Sequence, residues 1–469
     1  MYRKQVYAIA FLSIVLVIFR INDPFYWDNI VQIAVPANWY ADQGFGKIYL
    51  PNEITTGHQP FVGLYLALGW LVFGKSLVVS HLLFLPFVFG VAFQLLRLIR
   101  FFEKNEAKQN LILAICLLDG VLLSQLSLLT FEISHLFFMF WSLNSILNKN
   151  KYQLLISFIF LNLISLRANI SAIALGLFYI YYLFFEEKDR KKTEIFFLVP
   201  GFLAFAIFLL TFYLDKGWIV HNTVSKSWEN SSKPANVKVF IKNTFVIIWR
   251  FLDFGRWIFW LALLYFTILT FKKKKLEKKY RILLIFSLFQ ILGLTANIIP
   301  YQNSIAHRYL LPASIPTTLI MSIWIFNYFK FNWKTSAIFI LFITISGYFY
   351  VFLYPEKIAK GWDGTPAHWP VYSLRNEMND FLTDKKINKN LVGTSFPNAA
   401  SFKNTELCIC KEELKDLEIR KDSYVVFSNV FNETDEFYDN IYNTNSFILM
   451  KEYRSFGIYM RLYKRKSLQ

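Results

Sequence analysis

Residues 22–60 read NDPFYWDNIVQIAVPANWYADQGFGKIYLPNEITTGHQP and directly follow the first apolar run of the chain. This stretch is too polar for membrane core: it holds four carboxylates, Lys47 as its only Lys or Arg, and many aromatic side chains. Aromatic residues mixed with polar groups are typical of the bilayer–water interface. Carboxylates held beside a membrane with few cations near them indicate chemistry or recognition at that surface. We therefore interpret 22–60 as an active-site loop.

Long apolar runs surround this loop and predict an α-helical polytopic membrane protein. Of the 469 residues, 55% are hydrophobic, and apolar runs near the ~20 residues that cross a bilayer recur up to residue 354. Beyond that residue the composition is that of a soluble domain. The pattern predicts about 11 transmembrane helices, at 5–21, 76–98, 109–127, 131–147, 152–166, 169–185, 194–213, 256–271, 281–299, 309–328 and 334–354.

The net charge of +18 reflects membrane topology and does not indicate a nucleic-acid partner. Residues 355–469 are close to neutral, so almost all of the excess lies in the membrane portion, mainly in short connections between apolar runs. Such basic connections mark the cytoplasmic side. We predict a multi-pass protein of the inner (plasma) membrane with a cytoplasmic N-terminus, whose loop 22–60 and C-terminal domain lie on the periplasmic or extracytoplasmic side.

The chain divides into two predicted domains. Residues 1–354 form the membrane domain, in which the apolar stretch 61–73 extends the outer loop to 22–75. This stretch is too short to cross a bilayer untilted, so we expect a juxtamembrane helix along the outer face. Residues 355–469 are expected to form a small extracytoplasmic α/β domain without a catalytic motif of its own. Its predicted elements are strands at 391–396, 424–428 and 446–463 and a helix at 411–420.

Three segments resemble motifs of one family of membrane enzymes. They are FYWDNIVQIAVPANWYADQGF around Asp28, TGHQPFVGLYLALGWLVFGKSLVVSHLL at 56–83, and AHRYLLPASIP at 306–316. Together with the topology, they are similar to the dolichyl-phosphate-mannose protein mannosyltransferase superfamily, which includes bacterial aminoarabinose transferases. The resemblance implies a glycosyltransferase of the C-type fold. It further implies a polyprenyl-phosphate sugar as donor, transfer at the outer face, and a lipid, glycan or protein as acceptor.

The resemblance also bears on cofactors. Asp28 matches the first acid of the Asp-Glu pair that is usual in the family, but the second position is Asn29. This departure weakens the case for a two-carboxylate or metal-assisted site. We therefore assign no metal ligand and no certain cofactor. A divalent cation is compatible with the sequence, but the loop does not indicate one.

Sugar transfer to a hydroxyl needs a base near the nucleophile and stabilisation of the departing phosphate. A carboxylate of the loop suits the first role, and we predict Asp28, with Glu53 in reserve. Arg308, at an outer membrane boundary, suits the second role, because a planar guanidinium matches phosphate oxygens. Its neighbour His307 is predicted to bind the substrate or its phosphate as well. His58, in the closing turn of the loop, would orient the acceptor or the phosphate.

Asp28, His58 and Arg308 each have a purely structural explanation as well. Asp28 can cap a surface helix, since Asp is a good N-cap. His58 can satisfy loop backbone, and Arg308 can be an interfacial cation that anchors its helix. The sequence alone leaves these alternatives open.

Glu132 stands near the outer start of an apolar run. Carboxylates inside membranes are costly and tend to be functional or paired. Arg167, at an outer turn, is either the partner of Glu132 or a second ligand of the donor phosphate. Tyr301, in a short outer loop, would line a sugar site.

The other function class that fits the composition is a transporter, flippase or polymerase of lipid-linked glycans. Transporters usually place charged sites near mid-membrane and contain internal repeats or broken helices in matching positions. The sequence has neither pattern, and a transporter has no clear need for a large acidic outer loop with a soluble outer domain. The transferase is therefore the favoured interpretation.

Overall fold

The computed structural model describes residues 2–187, 189–219, 233–273, 276–302, 304–408, 413–419, 421–430, 435–443 and 446–466. Helices dominate the chain as far as residue 384, and a small sheet follows. In chain order the helices are α1 (Tyr2–Phe19), α2 (Val35–Asp42), α3 (Phe61–Phe73), α4 (Leu77–Phe102), α5 (Glu106–Leu117), α6 (Gly120–Leu126), α7 (Phe131–Leu147), α8 (Lys151–Ile164), α9 (Leu166–Tyr181), α10 (Val199–Lys216), α11 (Val237–Leu252), α12 (Trp257–Lys273), α13 (Lys278–Ile298), α14 (Leu311–Tyr328), α15 (Trp333–Leu353), α16 (Trp369–Asp384), α17 (Phe402–Thr405) and α18 (Asp435–Asn443).

The apolar helices make this a polytopic membrane protein, but they do not confirm 11 spans. Among the described residues, seven helices are long and apolar enough to cross a membrane, or nine if each of two bent pairs is one span. A helix does lie in every predicted stretch. However, α7 and α8 have only 17 and 14 residues, and the stretches 109–127 and 256–271 belong to the bent pairs α5–α6 and α11–α12.

One ion pair joins the two bends. The bends measure 76° between α5 and α6 and 95° between α11 and α12. Asp119 begins α6, where its Oδ1 accepts hydrogen bonds from the first backbone N–H groups of the helix. Both oxygens of Asp119 also accept hydrogen bonds from Arg256, each at 2.7 Å. At Gly255, φ is +80° and a Cβ would lie 3.0 Å from the backbone nitrogen of Gly347, so this close approach requires glycine.

The predicted juxtamembrane helix forms over the predicted residues, as α3. Trp70 donates a hydrogen bond from Nε1 to the Oγ of Ser80 at 2.9 Å, which fixes one face of α3 against α4. The last three residues of α3 expose their apolar side chains: Leu71, Val72 and Phe73. This combination suits a helix at a membrane surface. Its position along the outer face stays a prediction.

The C-terminal region contains a mixed sheet of five strands, as predicted for an α/β domain. The strands are β1 (Val392–Thr394), β2 (Lys415–Asp416), β3 (Tyr424–Ser428), β4 (Phe447–Ser455) and β5 (Ile458–Arg465), in the spatial order β2-β1-β3-β5-β4. β1 pairs in parallel with β2 and β3, and β5 pairs antiparallel with β3 and β4. The helix predicted at 411–420 is wrong for Lys415–Asp416, because these residues extend to pair with β1.

The segment between α15 and α16 packs onto the helical bundle. Gln125, in α6, donates from Nε2 to the backbone oxygen of Asp363 at 2.8 Å. The ring of Tyr26, just after α1, stacks on His368 with ring centroids 5.4 Å apart. Buried residues of α16 and the sheet belong to the same hydrophobic cluster as the membrane helices. The chain after residue 354 is therefore part of the wall around the end of the bundle.

Candidate active site

Arg308 is the centre of a buried cluster of charges. It lies in a short 3₁₀ turn, His307–Leu310, just before α14, and is 3% exposed. Its Nη1 donates to the carboxylate of Asp363, and its Nη2 donates to Asp28. Its Nε lies 3.3 Å from Oε1 of Glu132. Three carboxylates thus surround one guanidinium.

Each acid comes from a different part of the chain. Asp28 follows α1 and Asp363 follows α15. Glu132 is in the first turn of α7, where its backbone N–H donates to the hydroxyl of the N-cap, Thr130, at 3.2 Å. That hydroxyl in turn donates to the Glu132 carboxylate. An acid in the first turn also interacts favourably with the helix dipole.

Arg167 extends the cluster. It lies in the first turn of α9 and donates from Nη2 to Oε1 of Glu132 at 2.8 Å. Its guanidinium carbon lies 3.7 Å from the centre of the Tyr309 ring, within the range of cation–π contacts. Of the two roles predicted for Arg167, the structure has it as the partner of Glu132, and the role of phosphate ligand stays a prediction.

Asp28 differs from the other acids of the cluster in its exposure. Its side chain is 22% exposed, against 4% for Glu132 and 2% for Asp363. Burial raises the pKa of Asp363 to about 6; the Arg308 guanidinium lowers it in part, and the Asp28 and Glu132 carboxylates raise it further. Asp28 is therefore the acid best placed to exchange a proton with a bound molecule.

A cavity of about 370 Å³ lies beside the cluster. Arg167, His58 and Tyr309 contribute polar groups to its wall. The apolar part of the wall comes from α9, α10 and α13, through Ile170, Ile173, Phe205, Leu209 and Ile298. A charged end combined with an apolar wall fits a molecule that has an anionic head and a hydrocarbon tail.

Two polar atoms of residues that line the cavity have no hydrogen-bond partner among the described residues. They are Nδ1 of His58 and Oε1 of Gln32. A buried polar atom left unpaired costs about 1–3 kcal/mol, so a bound molecule that pairs with these atoms gains affinity. Burial lowers the pKa of His58 to about 3, so its ring is neutral near pH 7 and can either donate or accept a hydrogen bond.

The loop residue next to His58 attaches the loop to two helices. Gln59 donates from Nε2 to the backbone oxygen of Asn162 at 3.3 Å and also to the Oδ1 of Asn169. Asn169 donates back to Asn162 at 2.8 Å. Because Asn169 follows Arg167 closely on α9, these amide hydrogen bonds hold His58 near the Arg167 end of the cavity.

The structure separates seven of the eight predicted site residues into three groups. Asp28, Glu132, Arg167 and Arg308 meet in the charge cluster. His58 and Tyr301 line the neighbouring cavity with Arg167. Glu53 lies in an exposed turn outside the cluster, which leaves it a weaker candidate for a base than Asp28.

His307 belongs to a neighbouring buried group. Its Nε2 lies 2.8 Å from Oδ2 of Asp253 and 3.3 Å from Nη1 of Arg250. Asp253 also accepts a hydrogen bond from the Tyr354 hydroxyl. His307 thus supports the turn that carries Arg308, and its predicted contact with a phosphate stays a prediction.

The sequence interpretation missed Asp363, Tyr309 and Gln32 as residues of this region. Asp363 lies in the part of the chain that was expected to lack catalytic groups. The available signal was its setting, Gly361-Trp362-Asp363-Gly364, since glycines on both sides of an acid indicate a tight turn. Gln32 was hidden in the loop among many other polar residues.

Arg308 supplies positive charge to all three acids, and Arg167 also supplies it to Glu132. Within the described parts of the chain, no three His, Cys, Asp or Glu side chains are grouped as they would be to hold a metal ion. Asn29, which follows Asp28 directly, is 2% exposed, and its Nδ2 is buried without a partner among the described residues.

No protein-family profile matches the sequence, and no curated protein shows significant similarity to it. Among solved structures, the fold is similar to the crystal structure of ArnT from Cupriavidus metallidurans bound to undecaprenyl phosphate. The similarity covers 97% of each chain with a TM-score of 0.53 and 9% sequence identity. The chain therefore has the fold of that protein, and the expected C-type architecture with a small C-terminal α/β region is confirmed.

Proposed function

We propose that this protein is an integral membrane glycosyltransferase. It moves a sugar from a polyprenyl-phosphate-linked donor to a lipid, glycan or protein acceptor at the outer face of the membrane. The observation that carries the proposal is the partly exposed carboxylate of Asp28, held by Arg308 in a charge cluster whose Arg167 lines a cavity with an apolar wall. The bound undecaprenyl phosphate named for the similar ArnT structure supports a lipid phosphate as ligand.

Asp28 acts as the general base. The acceptor hydroxyl attacks the anomeric carbon of the donor sugar while Asp28 takes the hydroxyl proton. The bond between that carbon and the phosphate oxygen breaks, and the lipid phosphate leaves with the bonding electrons. A positioned base typically contributes about 10²–10⁴-fold to such a rate. Of the three acids around Arg308, Asp28 suits this role because the other two are almost fully buried.

Arg167 is the first candidate for the phosphate ligand. Arg308, the residue favoured from the sequence, already has carboxylates at Nη1, Nη2 and Nε. Arg167 has one such partner and lines the cavity together with His58. In this arrangement Arg308 holds Asp28 in place, and Arg167 stabilises the charge that develops on the leaving phosphate.

The experiment uses the purified protein in nanodiscs with a panel of polyprenyl-phosphate sugars and candidate lipid, glycan and protein acceptors, and measures release of free polyprenyl phosphate. Wild type should release it, and Asp28→Asn should lose about 10²–10⁴-fold in rate. Asp42→Asn is the matched control on the same loop, because Asp42 pairs with Lys403 on the surface. Equal rates for wild type and Asp28→Asn would contradict the role of Asp28. No release from any donor, together with movement of the intact donor across the bilayer of sealed vesicles that contain the protein, would instead support a flippase.

A further inference from the structure

Two tryptophan–aspartate pairs from distant parts of the chain meet at Arg308. Trp27 precedes Asp28, and Trp362 precedes Asp363. Both aspartates accept hydrogen bonds from Arg308. The two indole rings stack on each other, with centroids 6.1 Å apart and an interplanar angle of 24°. The membrane domain and the segment that follows it therefore make matching contributions to one site.

Both tryptophans have an unusual backbone conformation. The φ angle is +55° at Trp27 and +44° at Trp362. This left-handed region is unfavourable for bulky residues. Such conformations persist only where the surroundings enforce them, and they concentrate at functional sites. The backbone conformation at each tryptophan sets the direction in which the side chain of the following aspartate points.

The turn that carries Asp363 is held on several sides. Ser124 and Gln125 both donate hydrogen bonds to its backbone oxygen. A Cβ on Gly364 would lie 2.9 Å from the backbone oxygen of Gly361 and 3.4 Å from Nδ1 of His307. Position 364 therefore requires glycine, and close packing restricts movement of this turn.

We propose that Asp363 is a positioning residue of the active site, and that the stacked Trp27 and Trp362 rings keep Asp363 and Asp28 on opposite nitrogens of Arg308. This inference rests on the proposed function, in which Asp28 is the base. Because Asp363 occupies Nη1 and Glu132 lies against Nε, Asp28 binds Nη2, and this fixes the direction of its carboxylate.

Asp363 has a second, electrostatic effect. Its negative charge offsets part of the positive charge of Arg308, so Arg308 attracts an anionic ligand less strongly than a free guanidinium would. In this arrangement Arg167, which lines the cavity, binds the donor phosphate. Removing the charge of Asp363 should therefore slow the reaction and at the same time strengthen binding of a lipid phosphate.

The test compares wild type with Asp363→Asn, a nearly isosteric change, in the full-length protein in nanodiscs at pH 7.5. Turnover should fall by up to about 10²-fold, the typical cost of misplacing a reacting group by about 1 Å. Binding of undecaprenyl phosphate should become several-fold tighter, because a like charge near the ligand has been removed. Asp422→Asn is the matched control: Asp422 is a buried acid of the C-terminal sheet paired with Lys415, and both readouts should stay at their wild-type values.

The outcomes separate this inference from the proposed function. Slower turnover with tighter binding supports the inference. Slower turnover with weaker binding indicates general damage and overturns it, and so does an Asp363→Asn protein that equals wild type in both readouts. If wild type binds undecaprenyl phosphate but transfers no sugar, the proposed function fails; tighter binding by Asp363→Asn then still supports the charge effect, and unchanged binding overturns it.

Substitutions at Trp362 test the stacked pair. Trp362→Phe keeps an aromatic ring against Trp27 and should retain turnover within a few-fold of wild type. Trp362→Leu removes the stack and should lose turnover as Asp363→Asn does. A folded Trp362→Leu protein with wild-type turnover would overturn the role of the stack. The Asp363→Asn result does not depend on the folding of either tryptophan variant.

Discussion

Two buried arginines in this protein, Arg256 and Arg308, differ in the number and exposure of their carboxylate partners. Arg256, which is 2% exposed, has Asp119 as its ion-pair partner, and two hydrogen bonds of 2.7 Å join them. Arg308, at 3% exposed, contacts three acids. The first pair is balanced and closed, and it joins two helix bends. The second group has three acids around Arg308. Glu132 also pairs with Arg167, and Asp28 is 22% exposed. We expect an excess of acids with one partly exposed member at a site for chemistry, and a balanced, fully buried pair at a structural contact.

The largest expected effect comes from Asp28→Asn, in the group around Arg308. Turnover should fall by about 10²–10⁴-fold, while the thermal midpoint of unfolding changes little, because Arg308 keeps two other carboxylates. Release of polyprenyl phosphate and thermal unfolding, measured on the same preparation, check this. A large loss of stability without loss of turnover would reverse the comparison.

Asp119→Asn should show the opposite pattern. Removing one partner of a buried ion pair typically costs about 3–5 kcal/mol, and Asp119 also caps α6. We expect a clear drop in the thermal midpoint, with turnover per folded molecule within a few-fold of wild type. If this variant is stable but inactive, Asp119 has a role in the chemistry and the contrast with Asp28 fails.

The pH dependence of stability gives a further prediction, which concerns Asp363. Its pKa is raised from 3.8 to about 6 by burial, so the folded protein holds this proton more tightly than the unfolded chain does. The resulting stabilisation is complete below about pH 4 and is lost as the pH rises through about 6, and it amounts to no more than about 3 kcal/mol. The thermal midpoint of Asp363→Asn relative to wild type should therefore rise between pH 4 and pH 7. A difference that is constant with pH would contradict the buried, raised carboxyl.

The smallest expected effect concerns the ligand of the phosphate. Arg167→Lys keeps the charge but loses the paired donors of the guanidinium. Affinity for undecaprenyl phosphate should fall by roughly tenfold, which corresponds to about one charge-assisted hydrogen bond. Arg281→Lys, in a pair with Glu186 away from the cavity, is the control. If Arg167→Lys binds undecaprenyl phosphate as tightly as wild type does, another cationic residue of the site binds the phosphate.

The sequence predicted the fold wherever local hydrophobicity decides it. Every predicted span contains a helix, and the short helix at 61–73 forms as expected. The number of spans could not be predicted, because the bends at Asp119 and Gly255 depend on contacts between distant helices. The helix expected at 411–420 failed for a similar reason, since β2 exists only through its pairing with β1.

The candidate site was predictable in part. Asp28, Glu132, Arg167 and Arg308 stood out as charges at membrane boundaries, and the structure brings them together. Asp363 could not be found this way, because its surroundings arise only when the segment after α15 packs onto the bundle. Nor could the sequence show that Arg308 is already surrounded by acids, which transfers the proposed contact with phosphate to Arg167.

An experimental structure of the protein with bound undecaprenyl phosphate tests the central claim most directly. We expect the phosphate in the cavity against Arg167 and His58, with the lipid tail along the apolar wall and Asp28 still bonded to Arg308. A phosphate bound to Arg308 with Asp28 displaced, or a lipid bound away from this cavity, would contradict the assignment of Asp28 as the base and Arg167 as the phosphate ligand.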